Sequence, residues 1–277
     1  MDKPQLHQSH IAMLARCGEQ YRRRYRCGDR CPPGIAAHVG SGNHAAHSLD
    51  MNKVLTTGSL ASLEETADAA VRCLDARWDA DGVLLFGDDL KRPESAVRGD
   101  AKDLTVKLNE VRHGVLAPAI KPTRVSQKWV AELEGYPYDL AGEMDVEAED
   151  GLHDLKTTGR WPESDAANSS LQLTVYTLAR HFCDGIALPQ DVHLDFVCGV
   201  KYKTKLSTGV KRQKSVRTQE HIDAFLARLG RVFEVLDKDV FLPTDPSNWW
   251  CNPRWCGYYP TCPYVKGRVQ VGYEGED

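Results

Sequence analysis

The apolar positions of this chain change period part-way along it. They recur at helical spacing over residues 9–25, where Ser9 occupies the position of an N-cap. Residues 30–40 (RCPPGIAAHVG) interrupt them with paired prolines and glycines. Helical spacing returns over residues 44–54, 62–80 and 95 to about 116. After Pro122 the pattern becomes alternation: residues 125–157 read as several short strands, residues 169–182 as a helix and residues 191–200 as another strand. A basic ribbon follows over residues 201–217, and Thr218 then caps an amphipathic helix running to about residue 240. This order predicts an α/β protein with a central mixed β-sheet flanked by helices and helical N-terminal additions.

No repeat, low-complexity run or long linker divides the chain, so residues 1–277 are expected to form one domain. Its parts are a mainly helical segment (1–122), a sheet core (123–217), and a closing helix with a cysteine-rich tail (218–277). With 42% hydrophobic and 27% charged residues the chain can bury a sizeable core, which excludes a disordered or collagen-like protein. No stretch approaches the roughly 20 apolar residues of a membrane span. The start MDKPQLHQSH lacks a signal-peptide core, so a cytoplasmic protein without membrane partners is expected. Net charge is −4, so contact with nucleic acid would have to come from local patches.

Residues 140–157 carry the candidate chemistry. Alternation places Leu140, Gly142, Met144, Val146 and Ala148 on one strand face, and Ala141, Glu143, Asp145 and Glu147 on the other. Asp150-Gly151 reads as a two-residue hairpin turn. That register sets Glu149 against Leu152, Glu147 against Asp154 and Asp145 against Lys156, which makes Asp145 and Asp154 diagonal neighbours within about 7 Å. Two carboxylates that close repel unless a cation lies between them, and hard oxygen donors suit Mg²⁺ or Mn²⁺. Such an ion would polarise a phosphoryl oxygen, and Lys156 could orient the attacking water or stabilise developing charge. The competing reading is a surface hairpin with exposed ion pairs. Gln172 and Tyr176, four residues apart, share one helix face; Tyr176 also reads as a core residue with a satisfied hydroxyl.

The segment GEMDVEAEDGLHDLKTTG, followed by LQLTVYTLA, resembles the PD-(D/E)XK nuclease superfamily and, within it, the RecB-type exonuclease branch. The resemblance runs from residue 9 to residue 263. It implies a restriction-endonuclease-like core in which Asp145, Asp154 and Lys156 form the catalytic set and Gln172 and Tyr176 position the DNA backbone. It also implies a metal-ligating histidine after a glycine turn, matched by His44 after Gly40-Ser41-Gly42-Asn43, with His47 as a rival. The activity implied is metal-dependent DNA exonuclease action in bacterial or phage recombination or repair, with a possible recombination-protein partner. A phage protein would act in its host's cytoplasm. The alternative is a non-catalytic DNA-binding protein or complex subunit that keeps the fold and a structural Cys₄ site.

Nine cysteines in a chain without a signal peptide read as metal or cluster binding before disulfides. Cys251, Cys256 and Cys262 stand at C-x4-C-x5-C among prolines and glycines, and three thiolates leave a fourth ligand position open. The resemblance supplies Cys17 for it and implies a [4Fe–4S] cluster stapling the first helix to the tail. Cys27 and Cys31 compete for the position, and Zn²⁺ is the chemical alternative. Cys73, Cys183 and Cys198 sit in apolar patterns that predict core positions. The ribbon's Lys201, Lys203, Lys205, Lys211, Arg212 and Lys214 are candidate DNA contacts, with Lys201, Lys203 and Lys205 on one strand face and Ser207-Thr208-Gly209 as a turn. A second basic run, Arg22-Arg23-Arg24-Tyr25-Arg26, lies near the cysteine site.

Overall fold

The computed structural model describes residues 3–265, residue 204 excepted. Its centre is a mixed sheet of six strands flanked by helices, as the change of period predicts. The strands are β1 (Gln5–His7), β2 (Pro122–Ala131), β3 (Asp139–Ala148), β4 (Gly151–Thr158), β5 (Gln190–Tyr202) and β6 (Lys205–Arg217). β2 lines one edge of β3 antiparallel, while β1 and β4 share the other edge and β5 and β6 follow β4. β1 pairs with β3 as far as His7↔Ala141, and β4 takes over at Val146↔His153. Between those pairs, β3 has no strand along that edge among the described residues. The candidate site opens into this gap.

The helices are α1 (Gln8–Arg16), α2 (Gly18–Tyr21), α3 (Ile35–Thr57), α4 (Leu63–Asp81), α5 (Glu94–Val111), α6 (Ala166–Ser169), α7 (Leu171–Asp184) and α8 (Gln219–Asp237). One sheet face packs on α1, α7 and α8 through a core including Ile11, Leu173, Leu178, Ile222, Phe225 and Leu229. The other packs on α3, α4 and α5 through Val39, Met51, Leu74, Trp78 and Leu108. Several starts follow from local chemistry. Ser62 and Glu65 form a reciprocal capping box on α4, and the Ser170 hydroxyl accepts from the Leu173 amide to start α7. No helix of the described residues is long and apolar enough to cross a membrane.

Four local expectations are corrected. The first helix starts at Gln8 with His7, not Ser9, as its N-cap, and it breaks at Cys17, whose φ of −163° is extended. The glycines at 40 and 42 make no turn. They lie inside α3, where a Cβ on Gly42 would stand 2.7 Å from the Ala70 carbonyl oxygen, so glycine lets α3 and α4 approach. Ser207-Thr208-Gly209 is strand; the β5–β6 turn follows Tyr202↔Lys205, with Lys203 in it at φ 49°, and Gly209 is the seat of the Trp161 ring. Lys203 therefore does not share a strand face with Lys201 and Lys205. Of the cysteines expected in the core, Cys198 is buried, Cys73 is half-buried and Cys183 is exposed.

The β3–β4 hairpin also differs in register. Ala148 pairs with Gly151 and Glu147 with Leu152, so the turn is Glu149-Asp150, and the pairing stops at Val146↔His153, short of Asp145. Gly151 is glycine for another reason: its φ is +128°, and a Cβ there would lie 2.3 Å from the Asp191 carbonyl oxygen of β5. Gly151→Ala is expected to lower stability by about 2–3 kcal/mol, read as a fall in urea midpoint at unchanged m.

Strict alternation fails in β3 as well. Asp145 contacts His44 of α3, whereas Glu147 is held by Arg180 of α7, so these two acids face opposite layers. Next door in β2, Ser126 adopts φ 49° and the β2–β3 pairing passes over Ser126 and Asp145.

Candidate functional site

Four elements build the site, α3 bringing His44 to it. The mid-strand gap in β3 exposes Asp145, β4 supplies Asp154 and Lys156, and α7 lays Gln172 and Tyr176 alongside. Asp145 Oδ2 accepts the Leu155 amide at 2.9 Å and lies 3.3 Å from His44 Nδ1. Here a side chain replaces the ladder that the strands have given up. Beside this pair, Lys156 Nζ lies 2.7 Å from Asp154 Oδ2 and donates to Gln172 Oε1 at 2.7 Å. Gln172 Nε2 donates in turn to the Tyr176 hydroxyl at 2.5 Å, and the Tyr176 ring meets Trp129 edge-on. The i, i+4 spacing on α7 lets one amide bridge the lysine and the phenol.

Charge is distributed unevenly. Asp154 is fully buried, and neither of its oxygens has a hydrogen bond among the described residues; Lys156 approaches Oδ2 outside hydrogen-bond geometry. Burial foremost, with the nearby charge of Asp145, pushes the Asp154 carboxyl up against the pull of Lys156. Asp145 moves down: burial opposes its charge, but the hydrogen bond and charge of His44 and the Leu155 amide outweigh it. His44 moves up, since the Asp145 contact outweighs the cost of burying an imidazolium. Burial first raises the Tyr176 phenol, helped by the charges of Asp154 and Asp145, so it stays a neutral donor or acceptor.

His44 and His47 are separated plainly. His44 faces Asp145, while His47 is buried one turn on, its Nδ1 3.4 Å from Arg112 Nη1. Burial, then the Arg112 charge, pulls His47 down to about 3. The donor atoms of His44, Asp145 and Asp154 do not all lie within 4.8 Å of one another. What fits them to a divalent ion is the donor set, one imidazole and two carboxylates, with a fully buried carboxylate that has no hydrogen bond.

The four thiols assigned to one centre line a single cavity. Cys17, Cys251, Cys256 and Cys262 surround it, together with Gln20, Trp250, Tyr258 and Tyr259. Gln20 Nε2 donates to Cys256 Sγ at 3.0 Å, and the Thr244 amide to Cys17 Sγ at 3.4 Å. Trp250 Nε1 is buried and has no acceptor among the described residues. Two donors to sulfur at this cavity fit a centre of anionic thiolates. Neither Cys27 nor Cys31 lines the cavity; Cys27 Sγ instead accepts from Arg22 Nη1 at 3.2 Å.

No family model matches this sequence, and no curated protein matches it. The chain is similar to the solved structure of SSO0001, with a TM-score of 0.33 and 13% identity over 91% of this chain and 95% of that one. A likeness that slight carries no argument.

The basic ribbon divides into two parts. Lys201, Lys203 and Lys205 are exposed at the β5–β6 tip, which runs four residues past the last β4–β5 pair, Thr158↔Cys198. At about 3.3 Å per residue the tip overhangs the Lys156 end of β4 by about 13 Å. The others are engaged: Arg212 Nε donates to Asp195 Oδ1 at 2.9 Å, Lys214 Nζ to Asp191 Oδ2 at 2.7 Å and Lys211 Nζ to the Pro162 carbonyl at 3.4 Å. Arg212 is thus tied to a buried carboxylate, while Lys214 stays exposed in its ion pair with Asp191. The Arg22–Arg26 run is similarly committed: Arg22 pairs with Glu19, Arg23 with Asp29 and Arg26 with Asp239.

Sequence reasoning missed the Leu155 amide, because a backbone donor leaves no trace in residue type. It also missed the buried Asp50–Arg112 pair behind His47, although two opposite charges in apolar helix patterns were a usable signal.

Proposed function

We propose that this chain is a metal-dependent deoxyribonuclease that degrades DNA from its ends. The observation carrying this reading is Asp154: a fully buried carboxylate with no hydrogen bond, beside a half-exposed lysine and across from Asp145 and His44. Asp145, Asp154 and His44 would hold Mg²⁺ or Mn²⁺, which when bound supplies Lewis-acid polarisation of a phosphate oxygen and a more acidic water. Lys156 is partly exposed and can reach an incoming phosphate while Gln172 fixes its ammonium. It would stabilise charge on the phosphate as the phosphodiester bond breaks. Gln172 and Tyr176 hold that lysine and offer hydrogen-bonding groups to the backbone. The tip lysines 201, 203 and 205 would hold DNA through its phosphates, which gives salt-sensitive binding with little sequence preference. The exonuclease assignment rests on the resemblance to the RecB-type branch.

The test is incubation of the full chain with end-labelled linear DNA and Mg²⁺ or Mn²⁺. Stepwise shortening in wild type, lost in Asp154→Ala, is expected. DNA binding with no metal-dependent cleavage by the wild-type chain would overturn the reading in favour of a DNA-binding protein.

The cysteine cavity supports a [4Fe–4S] centre held by Cys17, Cys251, Cys256 and Cys262. Four thiolates on one zinc stand about 3.8 Å apart at Zn–S distances of about 2.3 Å. Among the described residues no three of these sulfurs lie within 4.8 Å of one another, a spread that suits a larger centre. Cys256→Ser is expected to abolish the visible absorption of protein purified without oxygen and to lower its thermal midpoint. Colourless wild-type protein carrying stoichiometric zinc would replace the cluster by zinc and leave the nuclease reading intact.

A further inference from the structure

We propose that Asp150, His153 and His193 form a second divalent-cation site, suited to Zn²⁺, that ties the β3–β4 turn to β5. It stands apart from the site above and does not depend on the nuclease reading. Neighbouring residues on a strand point to opposite layers, so His153 faces away from Asp154. Asp150 sits in the turn, His153 on β4 and His193 on β5, directly across the ladder from His153.

The geometry is already close to that of bound zinc. Asp150 Oδ1 lies 2.9 Å from His153 Nε2, and Asp150 Oδ2 lies 3.6 Å from His193 Nε2. Two donors about 2.05 Å from one tetrahedral ion stand about 3.3 Å apart, between those two values. All three ligand atoms lie within 4.8 Å of one another, which no other His, Cys, Asp or Glu set among the described residues achieves.

Proton counting supplies the second argument. His153 presents both ring nitrogens to carboxylates, Nδ1 to Asp195 Oδ2 at 2.7 Å and Nε2 to Asp150 Oδ1 at 2.9 Å. A neutral imidazole has one N–H, so one of these contacts sets a lone pair against a carboxylate oxygen. The rings of His153 and His193 stack with centroids 4.3 Å apart, and Arg212 Nη2 lies 3.2 Å from His153 Nδ1. A zinc ion on Nε2 relieves the lone-pair contact and takes His193 as a second ligand. Asp195, held by Arg212 Nε at 2.9 Å, then orients His153 through Nδ1, the outer carboxylate commonly found behind metal-bound histidines. Arg212 Nη2 stays 3.8 Å from Asp150 Oδ2 and leaves that oxygen available. Both imidazoles are buried while Asp150 is half-exposed, so the ion has a route in and a side open to water.

The test is calorimetric titration of the EDTA-washed full chain with zinc chloride in an Asp154→Ala background, which removes a ligand of the other ion site. Asp154→Ala is expected to bind one zinc more than Asp154→Ala/Asp150→Ala. Asp150 lies in an exposed turn, so its loss spares the core. Asp154→Ala/His193→Gln, checked for folding by circular dichroism, is expected to lose the same equivalent or bind it at least tenfold more weakly. Zinc is also expected to raise the melting temperature of the single variant by more than that of either double. Equal zinc counts and affinities across the three proteins, or a zinc-induced melting shift of the same size in the single variant and the doubles, would overturn the proposal.

Discussion

Lys156→Ala is expected to slow DNA cleavage by about 10²–10⁴-fold at saturating metal, while DNA affinity changes less than threefold. The argument is positional. Lys156 is the cation nearest Asp154, and Gln172 Oε1 accepts from its ammonium, so its place is set before any substrate arrives. A group fixed in advance stabilises developing charge without reorganising, so its loss should fall on the chemical step and spare binding. Binding should follow the tip instead: Lys201→Ala/Lys205→Ala is expected to weaken DNA affinity and reduce its salt dependence, with single-turnover cleavage at saturating protein nearly unchanged. Gln172→Ala should be milder than Lys156→Ala, about tenfold, because the lysine remains with one restraint fewer. Single-turnover rates against filter-binding affinities separate these outcomes. An alanine variant at 156 that cleaves within threefold of wild type would remove the lysine from the mechanism.

What could be read from the sequence was what is encoded locally. Asp154 and Lys156 are two apart on one strand, and Gln172 and Tyr176 one turn apart on one helix, so periodicity alone puts each pair on a common side. The turn was harder, because Asp-Gly has two uses. It can supply a left-handed turn, or, as at Gly151, let a neighbouring strand come within contact of the backbone. Reading the first shifted the register by two residues, which keeps faces but changes partners. The facing of Asp145 and Glu147 is not legible either, because alternation fails in β3 beside Ser126, whose φ is 49°. Long-range pairing was legible only by analogy. Nothing local says that Arg212 is held by Asp195 while Lys205 is exposed, since both occupy one basic ribbon. The convergence of Cys17 with three tail cysteines was likewise proposed from the family resemblance and could not be counted from spacing.

The largest expected effect on stability lies behind the site. Asp50 and Arg112 are both fully buried, with Asp50 Oδ2 2.8 Å from Arg112 Nη2. Asp50 also accepts the Ala61 amide at 3.1 Å and contacts His113 Nδ1 at 3.0 Å, while Arg112 donates to Asn109 Oδ1 at 2.7 Å. Asp50→Ala would leave a guanidinium out of water with only neutral partners, because burial and the Arg112 charge itself hold His47 down at about 3. Breaking a buried pair from one side costs about 3–5 kcal/mol, far more than the net worth of an exposed one. Asp50→Asn keeps the shape and one acceptor oxygen, so it should cost less than alanine and more than a surface change. Urea unfolding followed by circular dichroism distinguishes the three proteins, and a loss below about 1 kcal/mol for alanine would mean that the pair does not hold this layer together. The consequence reaches the site because His44, His47 and Asp50 lie on successive turns of α3. A layer loosened at Asp50 frees the helix that sets His44 against Asp145, so the alanine variant should lose cleavage activity even where it remains folded, and the asparagine variant should keep most of it.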